Sequence, residues 1–97
     1  MHSVLRTYSG KGSNELLDFL EKKKHDVESV LRTVQGFVSY TLVRSDTGGF
    51  TVTVCRDKAG TDESKKKAMD WIAKNAADIG APAPIISEGR VILHVTT

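Results

Sequence analysis

The stretch GFVSYTLVRSDTGGFTVTVCRD, residues 36–57, decides the fold, because it predicts two β-strands joined by a turn. The SDTGG segment at its centre supplies turn residues, and its glycines can adopt positive φ angles. Side chains alternate between the two faces of a strand. The strand after the turn therefore presents two sets, with Phe50, Val52 and Val54 on one face and Thr51, Thr53 and Cys55 on the other. The strand before the turn is apolar on both faces, with Phe37 and Val43 opposite Val38, Tyr40 and Leu42.

Before this hairpin, the sequence predicts one strand and one helix. Residues 2–8, HSVLRTY, have the composition of a short strand. Apolar residues then recur at spacings of three and four over residues 16–34, and only Lys23 interrupts this stripe. Ser13 is the predicted N-cap of the helix, and Gly36 follows its end, where glycine favours a left-handed cap.

After the hairpin, the sequence predicts a second helix and a last strand. Thr61 is the predicted N-cap of this helix, and Gly80 followed by the APAP segment ends it. The buried stripe of the helix is predicted to consist of Ala68, Met69, Ile72, Ala76 and Ile79. Residues 84–96, PIISEGRVILHVT, predict the last strand, with a bulge or bend at Glu88 and Gly89.

The predicted element order is β-α-β-β-α-β, within a single domain that spans residues 1–97. Right-handed crossovers place both helices on one face of a four-stranded antiparallel sheet, so the predicted fold is α+β and ferredoxin-like. The side chains predicted beneath the helices are Phe50, Val52, Val54, Val91, Leu93 and Val95. The opposite face is predicted to present Thr51, Thr53, Cys55, Ile92 and His94, with Tyr40 and Leu42 or their neighbours.

That opposite face is too apolar for water and too polar for a dry core. Burial of one large apolar side chain contributes about 1.5–3 kcal/mol, so several of them offset an association cost of about 4–15 kcal/mol. We therefore expect two sheets to pack face to face in a symmetric homodimer.

Composition argues against a nucleic-acid partner. The 14 Lys and Arg residues nearly balance the 12 Asp and Glu residues, which gives a net charge of +2. The basic runs at residues 22–24 and 65–67 lie in helical patterns, where consecutive side chains fan out around the axis. RNA-recognition motifs share this element order but carry stacking aromatics two residues apart on the third strand. In this chain Val52 stands where the second aromatic would be.

The number of cysteines and the lengths of the apolar stretches indicate where in the cell the protein is expected. Cys55 is the only cysteine, so no intrachain disulfide and no thiolate metal cluster can form. No stretch approaches the roughly 18 apolar residues of a membrane span, and MHSVLRTYSG lacks the pattern of a signal peptide. We therefore expect a cytoplasmic protein without a membrane partner.

Four segments carry a family resemblance: GFVSYTLVRS, GFTVTVCRD, ESKKKAMDWIAKN and SEGRVILH. Together they resemble the antibiotic-biosynthesis-monooxygenase-like proteins of the dimeric α+β barrel superfamily, over nearly the whole chain. The resemblance implies a homodimer whose two sheets form a barrel with the helices outside. In some relatives a cavity between sheet and helices binds an aromatic polyketide, a quinol or haem. Several of them oxidise the substrate with O₂ and no separate metal or flavin, so no cofactor is expected.

The chain departs from two patterns within that family. Haem-degrading relatives use an Asn, a Trp and a His, with the histidine after the tryptophan on the second helix. Here Trp71 is present, but residues 72–81, IAKNAADIGA, contain no histidine. Quinone-forming relatives carry an asparagine one turn before the tryptophan, where this chain has Lys67, and Asn75 lies one turn after it. Haem degradation is therefore not expected.

Five residues are candidates for lining a ligand cavity: Arg6, Tyr8, Tyr40, Trp71 and His94. Arg6 and Tyr8 share a face of the first strand. We expect Arg6 either to pair with a carboxylate, such as Glu88 or one from a partner chain, or to stabilise a substrate oxyanion. Trp71 is either a packing residue at the sheet edge or a wall of the cavity.

The remaining candidates are weaker. His94 is either a hydrogen-bonded core histidine or a general base. His2 and His25 have no cysteine or aspartate at ligand spacing, so no metal site is expected. Two functions follow as hypotheses. One is a small cofactor-independent monooxygenase that acts on a hydrophobic aromatic substrate with unassigned catalytic residues, and the other is a non-enzymatic dimeric binding module.

Overall fold

The computed structural model describes all residues, 1–97. Its elements, in chain order, are β1 (His2–Ser9), α1 (Ser13–Lys22), α2 (Lys24–Arg32), β2 (Phe37–Ser45), β3 (Gly48–Cys55), α3 (Lys58–Asn75), a 3₁₀ turn (Ala77–Ile79) and β4 (Ile85–Arg90).

The four strands form one antiparallel sheet in the order β2-β3-β1-β4. The predicted ferredoxin-like α+β fold is therefore confirmed. The helices cover one face of this sheet, which is called the inner face and carries Val4, Arg6, Tyr8, Tyr40, Leu42, Thr51 and Thr53. The other face is called the helix-free face and carries Leu5, Thr7, Thr41, Val43, Phe50 and Val52.

The predicted assignment of the β3 faces is wrong. Thr51 and Thr53 are each only 1% exposed beneath the helices, and Cys55 is fully buried on the same side. Phe50 and Val52 stay half-exposed on the helix-free face. Alternation sorts side chains into two sets but does not say which set is covered. Of this covered set, Thr51 lines the cavity described below.

A β-bulge alters β2 at Val38. Phe37 pairs with Cys55 and Ser39 pairs with Val54, so one extra residue stands between the two pairs. The bulge removes Phe37 from the face that Val43 shares, where simple alternation predicts both. The strand then continues regularly to Ser45.

The first predicted helix is two helices. α1 ends at Lys22 and α2 begins at Lys24, because Lys23 has a non-helical backbone (φ −104°, ψ 21°). The break falls at the residue that interrupts the apolar stripe. Gly12, not Ser13, is the N-cap, and the Ser13 hydroxyl donates to the Gly10 carbonyl at 2.6 Å.

The second predicted helix starts earlier than expected. Asp57 is the N-cap of α3 and its carboxylate accepts a hydrogen bond from the Gly60 amide at 3.0 Å. Thr61, the predicted cap, is instead a fully buried residue in the first turns. The buried side of α3 begins at Thr61 and Ser64, and Met69, which was predicted in the buried stripe, is 59% exposed.

The last strand is shorter than predicted. β4 ends at Arg90, which pairs with His2 at the start of β1, and no register shift interrupts it at the predicted bulge. After Val91, whose amide donates to the Met1 carbonyl at 2.9 Å, the chain has no strand to pair with. Ile92, Leu93 and Val95 are therefore 79–91% exposed, so Leu93 and Val95 do not lie beneath the helices as predicted.

A surface ion pair ties α3 to β4. The Lys65 ammonium donates to a Glu88 carboxylate oxygen at 2.6 Å and also lies 3.4 Å from Asp62. The hydrogen bond from Lys65 holds the pKa of the Glu88 carboxyl below its ordinary value of 4.5. None of the three helices combines the length and the apolar composition that crossing a bilayer requires.

This ion pair predicts an acid-sensitive contribution to stability. A depressed folded-state pKa means that the unfolded chain binds more protons, so the contribution is present above pH 4.5 and is lost as pH falls through the folded-state pKa. We expect Glu88→Gln to flatten part of the decline of the urea midpoint between about pH 6 and pH 3. Asp46→Asn, in the β2–β3 turn, is the control, and equal pH profiles for Glu88→Gln and the wild type would contradict the prediction.

Candidate functional site

A small cavity, called the inner cavity, lies between the helices and the inner face of the sheet. Its volume is about 20 Å³, which is room for about one water molecule. Its floor is formed by strand residues and is largely polar at its centre: Arg6, Tyr8, Tyr40 and Thr51. Its roof is formed by apolar helix residues: Leu20, Val27, Val30, Leu31, Ala68, Trp71 and Ile72.

Arg6 is the most unusual residue of this cavity. Its side chain is buried, with 4% of the residue exposed, and Nε donates to Thr51 Oγ1 at 3.2 Å. Nη1 is buried and has no hydrogen-bond partner. No carboxylate lies within 4.0 Å of the guanidinium, although Arg6 was expected to pair with Glu88 if its role were structural. The structure instead engages Glu88 with Lys65.

Two phenols surround this guanidinium. Burial raises the pKa of Tyr8 above its ordinary value of 10.0, although the nearby Arg6 charge opposes the shift. Burial also raises the pKa of Tyr40, and the Arg6 guanidinium beside its phenol again opposes the shift. Both phenols therefore keep their protons in the neutral pH range and act as hydrogen-bond donors.

The aromatic part of the roof is Trp71. Its indole is half-buried and packs at 5.8 Å, centroid to centroid and tilted by 39°, against the ring of Phe19. Phe19 contacts the core but does not line the cavity. Trp71 thus lines the inner cavity and also packs against a residue of α1.

A larger groove adjoins the inner cavity and is called the outer cleft. It has a volume of about 430 Å³ between α2 and β2, within the size range of small-molecule sites. Val27, Leu31 and Tyr40 line both spaces, so these side chains form the boundary between them. Leu31 is the only buried residue of α2. Few buried side chains therefore hold α2 against the sheet, and the break at Lys23 separates it from α1.

The structure brings four of the five candidate residues together and leaves one apart. Arg6, Tyr8, Tyr40 and Trp71 line the inner cavity. His94 lies in the exposed segment after β4 and contacts neither the inner cavity nor the outer cleft within one chain. Thr51 was missed as a site residue because its set was assigned to the wrong face.

Reactive groups elsewhere in the chain do not form a second site. His2 Nδ1 lies 2.8 Å from Thr61 Oγ1, and His2 Nε2 lies 3.9 Å from a Glu88 oxygen at the edge of the sheet. Burial raises the pKa of the Cys55 thiol above its ordinary value of 9.0, so the thiol behaves as a small apolar group. No group of three His, Cys, Asp or Glu side chains converges as metal ligands would.

Sequence comparison gives one partial relative. No family model matches the chain. It is 33% identical, over 86 residues, to the NADP(+)-dependent, decarboxylating 6-phosphogluconate dehydrogenase of Bacillus subtilis. The match covers 88% of this chain but only 17% of the dehydrogenase, so it does not place the chain in that enzyme family.

Comparison with solved structures shows the fold. NE2512, a protein of unknown function from Nitrosomonas europaea, matches with a TM-score of 0.70 and 18% identity, over 99% of this chain and 92% of its own. A point mutant of MhuD, a heme-degrader from Mycobacterium tuberculosis, matches with a TM-score of 0.67 and 20% sequence identity, over 99% of this chain and 98% of its own. A dimeric ferredoxin-like protein from an uncultured marine organism matches with a TM-score of 0.67 and 14% sequence identity, over 99% of this chain and 96% of its own.

A monooxygenase is also among the structures with this fold. ActVA-Orf6 of Streptomyces coelicolor, solved in complex with nanaomycin D, matches with a TM-score of 0.56 and 16% identity, over 99% of this chain and 89% of its own. The fold implied by the family resemblance is therefore confirmed, and at these identities the likeness extends to the fold alone.

Proposed function

We propose that the chain binds a hydrophobic aromatic compound in the inner cavity and outer cleft and oxidises it as a cofactor-independent monooxygenase. The observation that carries this proposal is the composition of the inner cavity. A buried guanidinium and two protonated phenols lie beneath an apolar roof that includes an indole. The fold shared with the Streptomyces monooxygenase supports the same function.

The residues fit a reaction in which the substrate itself supplies the electrons. A phenol or enol that loses its proton to solvent becomes an electron-rich anion, and Arg6 with the two tyrosines would stabilise that charge. Reaction of the anion with O₂ places one oxygen atom on the ring carbon as a carbonyl and releases the other as water. The two hydrogens of that water are the proton lost on ionisation, which solvent returns, and the hydrogen of the ring carbon. The apolar roof limits the water around the reacting carbon.

A second candidate, the non-enzymatic binding module, rests on a different observation. The inner cavity contains no general base, since a guanidinium offers no acceptor atom and burial raises the pKa of both phenols. A binding protein needs no base, whereas an oxygenase with these residues must take a substrate that ionises readily. The two functions therefore differ in whether bound ligand is consumed.

Oxygen consumption separates the two functions. We expect the chain to consume O₂ with at least one member of a panel of anthrones and 1-naphthols, above the rate of autoxidation in buffer. One water and one carbonyl product should form for each O₂ consumed. Tight binding without O₂ uptake by any member would favour the binding module, and the absence of binding would contradict both candidates.

Substitution of Trp71 tests the cavity wall. Trp71→Phe removes aromatic area from the roof, so we expect ligand affinity to fall roughly fivefold, with little change in the urea midpoint. Phe19→Leu is the matched control, because it removes the partner ring of Trp71 from a position outside the cavity. Affinity measured by calorimetry should be unchanged in this control, and equal losses in both variants would mean that Trp71 acts through packing alone.

We also propose that the chain acts as a homodimer through the helix-free face. This face keeps Leu5, Val43, Phe50 and Val52 half-exposed in one chain. The exposed apolar segment at residues 91–97 adds further surface that finds no partner within the chain. The likeness to a dimeric ferredoxin-like protein supports the same assembly. A cytoplasmic location is proposed from the single unpaired Cys55.

A further inference from the structure

The starting observation is a buried positive charge without a counter-charge. Arg6 is 4% exposed, Nε donates to Thr51 Oγ1, the Tyr40 phenol lies beside the guanidinium, and Nη1 has no partner. An ionised group buried without a partner is strongly unfavourable, because it has lost its hydration and gained no opposite charge. An anion that binds beside Arg6 from outside the chain would offset the cost of burying this charge.

A second copy of the chain cannot supply that anion through the proposed interface. Arg6 lies on the inner face, beneath the helices, whereas the proposed interface is the helix-free face on the other side of the sheet. Glu88, the carboxylate considered from sequence, pairs with Lys65 of α3. The counter-charge must therefore enter through the cavity side of the sheet.

The polar groups around Arg6 are all able to donate. Arg6 carries five N–H donors and no acceptor, and the Tyr8 and Tyr40 hydroxyls remain protonated. The Thr51 oxygen accepts from Arg6 Nε, which leaves its own proton free to donate. A set of convergent donors around one small space matches an oxygen that only accepts, and an oxyanion accepts most strongly.

The inner cavity and the outer cleft differ in size, so each can hold a different part of a ligand. The inner cavity, at about 20 Å³, holds one oxygen atom but no ring. The outer cleft, at about 430 Å³, has room for a fused aromatic ring system. Only Val27, Leu31 and Tyr40 separate the two, and the first two belong to the lightly anchored α2. A small displacement of α2 would let one ligand occupy both spaces.

We propose that the ligand is an aromatic oxyanion whose charged oxygen is bound by Arg6, Tyr8 and Tyr40, with its rings in the outer cleft. This inference rests on the proposed function and narrows its substrate class to compounds that are ionised at neutral pH. Phenolates, enolates and aromatic carboxylates share the required chemistry. Neutral quinones and hydrocarbons of the same shape are excluded as preferred ligands.

Three probes of similar size test this preference with the wild-type chain. The enolate 2-hydroxy-1,4-naphthoquinone and the carboxylate 2-naphthoate are ionised at pH 7.5, whereas 1,4-naphthoquinone is neutral. We expect calorimetry to show at least one anion binding about tenfold or more tighter than the neutral quinone, because hydrogen bonds to charged groups are the stronger ones. Preference for the enolate over the carboxylate would identify the source of the oxyanion as a ring oxygen, and the reverse order would identify a carboxyl substituent.

Two variants connect that preference to Arg6. Arg6→Met should bind the anionic and neutral probes equally, and its urea midpoint in the absence of ligand should rise, because a buried unpaired charge is removed. Arg6→Lys should retain part of the preference. Arg44→Met is the matched control, since Arg44 is exposed and pairs with Asp18 and Glu21 outside both spaces. It should retain the full preference.

The outcomes separate this inference from the proposed function. Equal wild-type affinities for the charged and neutral probes would overturn the oxyanion inference and leave the aromatic site intact. Loss of folding in Arg6→Met would assign Arg6 a structural role and also overturn the inference. Absence of binding by all three probes would overturn the proposed function together with it.

Discussion

Gly48→Ala is expected to leave little folded protein. Gly48 has φ +146° at the start of β3, and a Cβ there would lie 2.2 Å from the Tyr8 carbonyl oxygen and 2.9 Å from Ser13 Oγ. Backbone strain at such an angle costs about 1–3 kcal/mol in a residue with a side chain. The clash adds to that cost, because the Tyr8 oxygen belongs to the backbone of central strand β1 and cannot retreat without breaking the sheet. Small domains have about 5–15 kcal/mol of stability in total, so most of it would be lost.

Gly10→Ala separates strain from the clash. Gly10 also has a positive φ, +87°, but an added Cβ would meet no atom within 4 Å. We expect this control to cost about 1–2 kcal/mol, the strain of the left-handed region alone. Urea denaturation followed by circular dichroism measures both variants. A Gly48→Ala midpoint equal to that of Gly10→Ala would show that the β2–β3 turn adjusts freely, contrary to the prediction.

The element order could be predicted because several boundaries follow from local residue types. The glycines at residues 48 and 49 start β3 after a two-residue turn, and Gly80 with the following prolines ends the α3 region. The helix break at Lys23 was not predicted, although that lysine interrupts an otherwise continuous apolar stripe. A charged residue in a stripe has two interpretations, a solvated side chain or a break, and only packing decides between them.

Faces and register could not be predicted, because they depend on partners distant in sequence. Alternation in β3 sorted the side chains into the correct two sets, but the more apolar set, with Phe50 and Val52, is the one left without helices. The β4 strand ends where β1 begins, and that limit follows from the pairing of His2 with Arg90. The residues after Arg90 do not predict the end of β4, since Ile92 and Leu93 have side chains that favour strands.

The candidate site was partly predictable for the same reason. Arg6 and Tyr8 lie two residues apart on one strand, so period alone places them on one face, and the structure brings Tyr40 and Trp71 to the same cavity. The absence of a carboxylate beside Arg6 is a three-dimensional fact that composition cannot show. Within β3, the helices cover the polar residues Thr51 and Thr53 and leave Phe50 and Val52 uncovered, which reverses the usual arrangement, in which the helices cover the more apolar set. The proposed ligand site on one face and the proposed subunit interface on the other would account for this arrangement.

Val52→Asp is expected to dissociate the proposed homodimer into monomers. Val52 lies on central strand β3, paired with Leu5 on one side and Thr41 on the other, so its side chain is in the middle of the helix-free face. Burying a carboxylate there without a partner would cost several kcal/mol, as an order of magnitude, for each of two symmetry-related copies. The same side chain is half-exposed in one chain, so the folded monomer should tolerate the change. Sedimentation equilibrium at micromolar concentration should give about twice 10.6 kDa for the wild type and 10.6 kDa for the variant.

Met69→Asp and a shortened chain complete this test. Met69 is 59% exposed on α3, on the helix side of the sheet, so the same charge placed there should leave the dimer unchanged. Deletion of residues 91–97 removes Ile92, Leu93 and Val95, and it should weaken association if this exposed segment packs against the second copy. A wild-type mass of one chain would contradict the dimer directly. A dimeric Val52→Asp would instead move the interface away from the helix-free face, and the apolar character of that face would then need another partner.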